Sequence, residues 1–318
     1  MLTLFHCSDL HFGPGYQPVV GEALLAAAWA HNPDVIVASG DFTMRAKREQ
    51  FQAARAYLDR MPPVPIVVTP GNHDVPLFRV LERAFRPYVL YRQYISNELD
   101  SLLVLPGAVI VSLNSTAPLR ALVNGRIARS QLEFAARAFR HAAPDAARIL
   151  VAHHHFAPAP DYEGGEVMPE AKRAMDLFAR LRVDLVLGGH LHRAYIGNSL
   201  DVYPGTDREH GVIIVECGTS TSRRGRARER EKNSFNLIRV GDEVVRITHH
   251  MFFEEATRAV SGEGPGFEPI SRHIFPRSGR AHLRDAGGAE DVAPAAGDVA
   301  QRPARAPDAA SPTPERGD

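Results

Sequence analysis

Short apolar runs rich in β-branched residues alternate with longer stretches that repeat apolar residues at helical spacing. The first type of run predicts buried strands and the second predicts amphipathic helices. This alternation is typical of βαβ units, so it predicts an α/β fold with a largely parallel sheet. The predicted strands of this part are 3–7, 34–39, 65–69, 148–152 and 183–187, and the predicted helices are 22–31, 46–60, 77–85, 130–141 and 169–181.

Two parts of the chain depart from this alternation. A strand pair at 102–105 and 108–113 flanks Pro106-Gly107, which is a turn dipeptide. Further along, three consecutive strands have no long helix between them, which predicts an antiparallel edge or a second sheet. These three strands are 213–216, 234–240 and 243–251.

The end of the chain has a different composition. Hydrophobic periodicity is lost from about Thr257, and the sequence from Ala286 onward is rich in Ala, Pro, Gly, Asp and Arg. Such a segment buries too little apolar surface to offset its conformational entropy. The sequence therefore predicts a folded domain at 1–256 and a disordered tail at 257–318.

Polar residues with metal-binding side chains follow five of the predicted strands. The carboxyl ends of parallel strands meet at one edge of a sheet, where ligands bind, so these residues are expected to lie together. Each one alone has an ordinary explanation, because Asp, Asn and Gly are common in turns and helix caps. If the strand predictions are wrong, the alternative is a set of scattered surface histidines. The residues are Asp9, His11, Asp41, Asn72, His73, His153, His154, His190 and His192.

The donor atoms of this set indicate which ions it could hold. They are imidazole nitrogens, carboxylate oxygens and one amide oxygen, with no thiolate. This mixture suits Mn, Fe or Zn rather than Ca or a sulfur-preferring ion. The number of donors exceeds what one ion needs, which favours two ions that share a bridging carboxylate.

Composition narrows the classes of function. The 318 residues are 44% hydrophobic and carry a formal net charge of zero, so no global field favours nucleic acid or a membrane surface. The two cysteines, Cys7 and Cys217, form no CxxC motif. No apolar run has transmembrane length, and the first residues lack the features of a signal peptide. We therefore expect a cytoplasmic protein that acts on a small molecule, with no membrane partner and with nucleic acid not favoured.

Five short motifs together resemble the calcineurin-like metallophosphoesterase superfamily in residue type, order and spacing, over roughly residues 1–253. The resemblance implies the metallo-dependent phosphatase fold, which is a four-layer αββα sandwich of two mixed sheets flanked by helices. Within the superfamily, GNHDVP at 71–76 and GTSTSRR at 218–224 are similar to the class III cyclic nucleotide phosphodiesterase branch. The five motifs are DLH at 9–11, GD at 40–41, GNHD at 71–74, HH at 153–154 and GHLH at 189–192.

The resemblance also implies roles for these residues. A metal-bridging hydroxide would attack a phosphodiester, such as a 3′,5′-cyclic nucleotide, with Asp41 bridging the ions. His73 would stabilise charge or protonate the leaving oxygen. His155 stands where the family usually has Pro, so either His153 or His154 could be the ligand, and His153 is favoured. One ion would be held by Asp9, His11, Asp41 and His192, and the other by Asp41, Asn72, His153 and His190.

Substrate contacts are less well defined by the sequence. His154 and Arg193 are candidates, each with a structural role as the alternative. The basic run 223–232 is either a solvated loop or a place from which Arg223 or Arg224 reaches a substrate phosphate. Arg223 is the residue we predict for this contact.

Other functions remain open at this point. A nuclease similar to DNA-repair exonucleases and a nucleotide-sugar pyrophosphatase would use the same metal chemistry. A binding scaffold that kept the fold and lost catalysis should lack some of the ligands, and none is missing here.

Overall fold

The computed structural model describes residues 1–119, 123–158, 167–203, 211–260 and 262–277. Twelve strands are present in these ranges: β1 (Leu2–Cys7), β2 (Val35–Ala38), β3 (Ile66–Val68), β4 (Ser101–Leu105), β5 (Ala108–Ser112), β6 (Ala147–Val151), β7 (Leu185–Gly188), β8 (Tyr195–Asn198), β9 (Ile213–Glu216), β10 (Ser234–Val240), β11 (Val244–Ala256) and β12 (Gly264–Pro276).

Seven α-helices connect these strands in the described ranges. None of them combines the length and the hydropathy that a membrane span requires. The helices are α1 (Pro18–His31), α2 (Arg48–Leu58), α3 (Val80–Phe85), α4 (Val89–Tyr94), α5 (Arg129–Arg140), α6 (Ala171–Arg180) and α7 (Ser199–Val202).

The strands form two six-stranded mixed sheets. The first sheet has the order β12-β11-β10-β1-β2-β3, in which β1, β2 and β3 are parallel and the other neighbours are antiparallel. The second sheet has the order β4-β5-β6-β7-β9-β8, in which β5, β6, β7 and β9 are parallel and the two edge strands are antiparallel. The parallel strands predicted from the βαβ alternation are therefore divided between two mixed sheets.

Three apolar clusters define four layers. An aliphatic core that includes Leu4 of β1 and Ile149 of β6 fills the space between the sheets. Phe5, the next residue along β1, points to the opposite face and packs with residues of α1 and α2. Residues of α5 and α6 cover the outer face of the second sheet. Because the central strands are buried on both faces, their sequences are continuous apolar runs. The predicted αββα sandwich is confirmed.

The last strand corrects the predicted domain boundary. β12 pairs with β11 in antiparallel register, so the prediction of a disordered tail is wrong for residues 264–276. Three prolines in β12 obscure the strand pattern, and prolines are tolerated because this strand lies at the edge of its sheet. Residues 278–318, which include most of the predicted tail, lie outside the described residues.

Arg277, which follows β12, forms a buried ion pair with Asp184, which precedes β7 of the second sheet. This contact leads to a prediction about stability. Its Nε lies 3.2 Å from Asp184 Oδ1, and both side chains are buried. Since breaking a buried ion pair leaves a charge without its partner, Arg277→Ala should lower the free energy of unfolding by about 3 kcal/mol. Urea denaturation measures this change. Arg272→Ala, on an exposed position of the same strand, is the control, and equal midpoints for the two variants would contradict the prediction.

Candidate metal centre

The ends of five strands bring the predicted ligands together. The residues that follow β1, β2, β3, β6 and β7 meet where the carboxyl edges of the two sheets approach each other. Two groups of metal-capable side chains lie there, each with its donor atoms within 4.8 Å of one another. One group is Asp9, His11, Asp41 and His192, and the other is His153, His154 and His190.

The first group is fully enclosed by the fold. Asp9 Oδ1 lies 3.1 Å from His192 Nε2 and 3.6 Å from His11 Nε2. The two imidazole Nε2 atoms are 3.1 Å apart. All three side chains are buried, so water cannot readily take the place of a missing partner.

An amide oxygen lies beside the second group. Asn72 Oδ1 lies 3.0 Å from His190 Nδ1 and 3.3 Å from His153 Nε2. Asn72 belongs to a short 3₁₀ turn, Asn72–Asp74, that directly follows β3. The structure therefore brings this residue to the histidines that follow β6 and β7.

Asp41 joins the two groups. Its Oδ2 lies 3.7 Å from His11 Nε2 and 3.4 Å from His153 Nε2. Its Oδ1 accepts the backbone N–H of His73 at 2.8 Å. One carboxylate oxygen thus faces both groups while the other is held by the backbone.

Backbone carbonyls fix the orientation of two of the histidines. His153 Nδ1 donates to Ser39 O at 2.8 Å, and His192 Nδ1 donates to Arg224 O at 3.1 Å. In a neutral imidazole the remaining Nε2 then carries a lone pair. Such outer hydrogen bonds are typical of histidines that bind metals.

The donor set fits bound cations. The Nε2 lone pairs of His153 and His192 face the carboxylates of Asp41 and Asp9, and Asp9 Oδ1 and Asp41 Oδ2 are buried without a hydrogen bond from the described residues. Burying a charge is unfavourable unless it is paired or binds a metal. Burial lowers the pKa of His153, but the charge and hydrogen bonding of Asp41, the charge of Asp9 and the bond to Ser39 O together raise this pKa to about 10. A positive charge is therefore favoured at this point.

The backbone is strained at the same positions. A positive φ is uncommon in residues other than glycine, and it clusters at functional sites where the surrounding structure enforces it. Five of the seven predicted ligands have this conformation: Asp9 (φ 54°), His11 (φ 50°), Asp41 (φ 53°), His190 (φ 68°) and His192 (φ 55°).

His73 lies at the edge of the centre. Its Nδ1 bonds to Met44 O at 3.0 Å, which leaves Nε2 as its other polar atom. Its ring meets the His11 ring edge to face, with centroids 4.8 Å apart. Burial lowers the pKa of His73, and the Asp41 carboxylate opposes this shift.

The contacts of His153 and His154 differ. His153 reaches both Asp41 and Asn72, whereas His154 Nδ1 lies 2.8 Å from Ser115 Oγ. These contacts favour His153 as the ligand. Since His154 also lies within the second donor group, its role at the site stays a prediction.

The arginines considered as substrate contacts differ in burial. Arg193 is fully buried, and the Arg223 side chain is exposed while its backbone N–H donates to Gly15 O at 3.0 Å. The neighbouring Arg224 is half-buried, and its Nη1 lies 3.3 Å from Met44 Sδ. The half-buried Arg224, rather than Arg223, is therefore the candidate for contact with a substrate phosphate.

Asp74 has a positioning role that its sequence motif alone did not assign. Its carboxylate accepts backbone N–H groups from Gly71 at 3.0 Å, Phe42 at 3.2 Å and Thr43 at 2.9 Å. These bonds connect the loop after β2 to the loop after β3. Burial, followed by the Asp41 charge, raises the pKa of Asp74 to about 7. In the sequence, the signal for this positioning role was the place of Asp74 within the GNHD motif.

Comparisons with known proteins identify the family and the fold of this chain. A family model described as calcineurin-like phosphoesterase matches residues 2–194. No curated protein matches the chain in sequence. Among solved structures, purple acid phosphatase PPD1 of yellow lupin (Lupinus luteus) is similar with a TM-score of 0.65 and 14% identity, over 89% of this chain and 55% of that chain.

Two further solved structures share the fold. PhoD has a TM-score of 0.62 and 12% identity, over 87% of this chain and 70% of its own. GAP50, the anchor in the inner membrane complex of Plasmodium, has a TM-score of 0.54 and 13% identity, over 87% of this chain and 89% of its own. The chain spans about half the length of the lupin protein, 55%. Likeness at these identities shows the fold alone.

Proposed function

Because this chain belongs to the calcineurin-like phosphoesterase family, we propose that it is a dinuclear metal-dependent phosphodiesterase that acts on small phosphodiesters. The observation that carries the proposal is the position of Asp41 Oδ2 between His11 Nε2 and His153 Nε2, at 3.7 and 3.4 Å. A carboxylate shared by two donor groups is suited to bridging two ions.

Each ion would have its own set of side chains, and the donor types suit Mn, Fe or Zn. When bound, the ions would supply Lewis acidity, which neutralises phosphate charge and activates water. The side chains proposed for one ion are Asp9, His11, Asp41 and His192, and those for the other are Asp41, Asn72, His153 and His190.

The remaining groups would handle the proton and the orientation of the substrate. His73 donates its Nδ1–H to Met44 O and its backbone N–H to Asp41, so its protonated form carries a second ring proton, on Nε2, that can pass to the leaving oxygen. Asp74 holds the loop that carries His73 through its backbone contacts. Burial of the carboxylates excludes bulk water from them, which strengthens the electrostatic interactions of the site.

The narrower proposal of a cyclic nucleotide substrate rests on the resemblance of GTSTSRR at 218–224 to the class III branch. Thr219 Oγ1 donates to Asp9 O and Thr221 Oγ1 donates to Leu10 O, both at 2.7 Å. Ser220 Oγ accepts the Ser8 N–H at 3.1 Å. The motif that resembles the class III branch therefore shapes the loop that carries Asp9.

The buried free thiols of Cys7 and Cys217 are in keeping with the proposed cytoplasmic location.

The proposal is tested by removing bound metal with a chelator, adding Mn²⁺ and then measuring hydrolysis. We expect cleavage of bis-p-nitrophenyl phosphate in preference to p-nitrophenyl phosphate, and cleavage of cyclic AMP if the narrower proposal holds. Preference for the monoester would contradict a phosphodiesterase. Absence of cleavage by folded protein with bound metal would favour the scaffold.

A further inference from the structure

We infer that Arg45 and Arg224 form an anion subsite beside the metal centre, which takes a second phosphate carried by the leaving group of the substrate. This inference rests on the proposed phosphodiesterase function and names a substrate class for it that differs from a 3′,5′-cyclic nucleotide, which has a single phosphate. The class is a small phosphodiester whose leaving alcohol is itself phosphorylated.

Arg224 is attached to the centre through its backbone. Its carbonyl accepts the His192 Nδ1–H, and the N–H of Arg226 donates to His192 O at 3.0 Å. The basic segment therefore passes over a proposed metal ligand and is not a detached solvated loop. Burial lowers the pKa of Arg224, whereas the charges of Asp41 and Asp9 raise it, which places the guanidinium in their field.

Arg45 directly follows Met44, whose sulfur contacts Arg224 and whose carbonyl contacts His73. Its guanidinium carbon is 5.0 Å from the centroid of the Phe78 ring. Its carbonyl accepts a hydrogen bond from Arg79 at 3.3 Å, which helps to hold this segment. The charge of Arg45 lowers the pKa of Arg224, so the two guanidinium groups interact unfavourably.

Neither arginine is paired with a carboxylate among the described residues. The side-chain contacts of Arg224 and Arg45 there are the Met44 sulfur and the Phe78 ring, respectively. A thioether is a weak acceptor, and half-buried cations normally gain stability from an anion. Arginine is well suited to phosphate because its planar guanidinium can donate two parallel hydrogen bonds.

The location of these groups identifies the part of the substrate that they would contact. Met44 contacts Arg224 through its sulfur and His73 through its carbonyl. Arg224 therefore lies on the His73 side of the centre, and Arg45 is the next residue after Met44. Since His73 is proposed to protonate the leaving oxygen, an anion bound here belongs to the leaving group. Hydrolysis adds water across the scissile P–O bond, and the released alkoxide takes the proton from His73.

A matched pair of substrates tests this assignment. Methyl phenyl phosphate and methyl 4-(phosphonomethyl)phenyl phosphate differ only in the phosphonomethyl group on the leaving phenol of the second compound. With Mn²⁺-loaded wild-type protein, we expect kcat/KM to be about 10- to 100-fold higher for the second substrate, mainly through KM. Arg224→Met and Arg45→Met should each remove most of this preference. Arg230→Met, at an exposed position of the same basic run, should keep it.

Calorimetric binding of non-hydrolysable phosphonate analogues of both substrates separates this inference from the proposed function. Tighter binding of the analogue with the additional phosphonate, if it depends on Arg224, would support the subsite even if no hydrolysis occurs. In that case the proposed function alone would fail. Equal losses for both substrates in Arg224→Met, or no preference in wild-type protein, would overturn the subsite. Higher kcat/KM for a single-stranded oligonucleotide than for either small substrate would overturn the assigned substrate class.

Discussion

The Asp41→Asn variant is expected to lose at least about 10³-fold in metal-dependent diester hydrolysis, because removing a bridging charge removes several kcal/mol of transition-state stabilisation. The fold should remain, since an Asn Oδ1 can still accept the His73 N–H. The new amide group would face the Nε2 atoms of His11 and His153, which can accept hydrogen bonds.

Two measurements distinguish this effect from unfolding. The thermal midpoint of metal-free Asp41→Asn should lie below that of the metal-free wild type, because the buried pair of Asp41 with His153 is lost, but the variant should still unfold in one cooperative transition above the assay temperature. Its bound metal should fall below that of the wild type. Asp176→Asn, which changes a partly exposed ion pair on α6, is the matched control and should keep full activity. Full activity of Asp41→Asn would refute the proposed centre.

Replacing His73 by Asn should have an effect that depends on the leaving group. A general acid contributes about 10²- to 10⁴-fold when the leaving group needs a proton, so a diester with an alkyl leaving group should lose that much in kcat. p-Nitrophenolate is a weak base that leaves without protonation. The loss with bis-p-nitrophenyl phosphate should therefore be much smaller.

The control for this experiment is His141→Asn, at an exposed position that follows α5. It should leave both rates and the metal content unchanged. Bound metal in His73→Asn should also match the wild type, because His73 is not among the proposed ligands. If both substrates lost activity equally, His73 would act by positioning the site or stabilising charge, and the proposed proton transfer would be wrong.

The sequence could predict which side chains would meet, because strand periodicity places the residue after a strand at a definite edge. Asp9, Asp41 and His192 come together for this reason, although they are far apart in sequence. The division of the strands between two sheets could not be read from periodicity. Strands buried on both faces look alike in either sheet, and β12 was hidden by its prolines.

The backbone contacts that orient the histidines of the site could not be predicted from the sequence, for a different reason. Ser39, Met44 and Arg224 hold histidines through their carbonyl oxygens, which every residue possesses. Side-chain identity therefore carries no signal for these contacts. The choice between Arg223 and Arg224 likewise depends on the backbone conformation of the loop, which the basic composition does not specify.

Metal titration of the chelated protein tests the central claim most directly. Equilibrium dialysis against Mn²⁺ would give the bound metal per chain, and hydrolysis of bis-p-nitrophenyl phosphate would be measured at each point. We predict saturation at two ions per chain, with hydrolysis appearing as the second ion binds. Saturation at one ion, or full hydrolysis with one ion bound, would contradict a dinuclear centre bridged by Asp41.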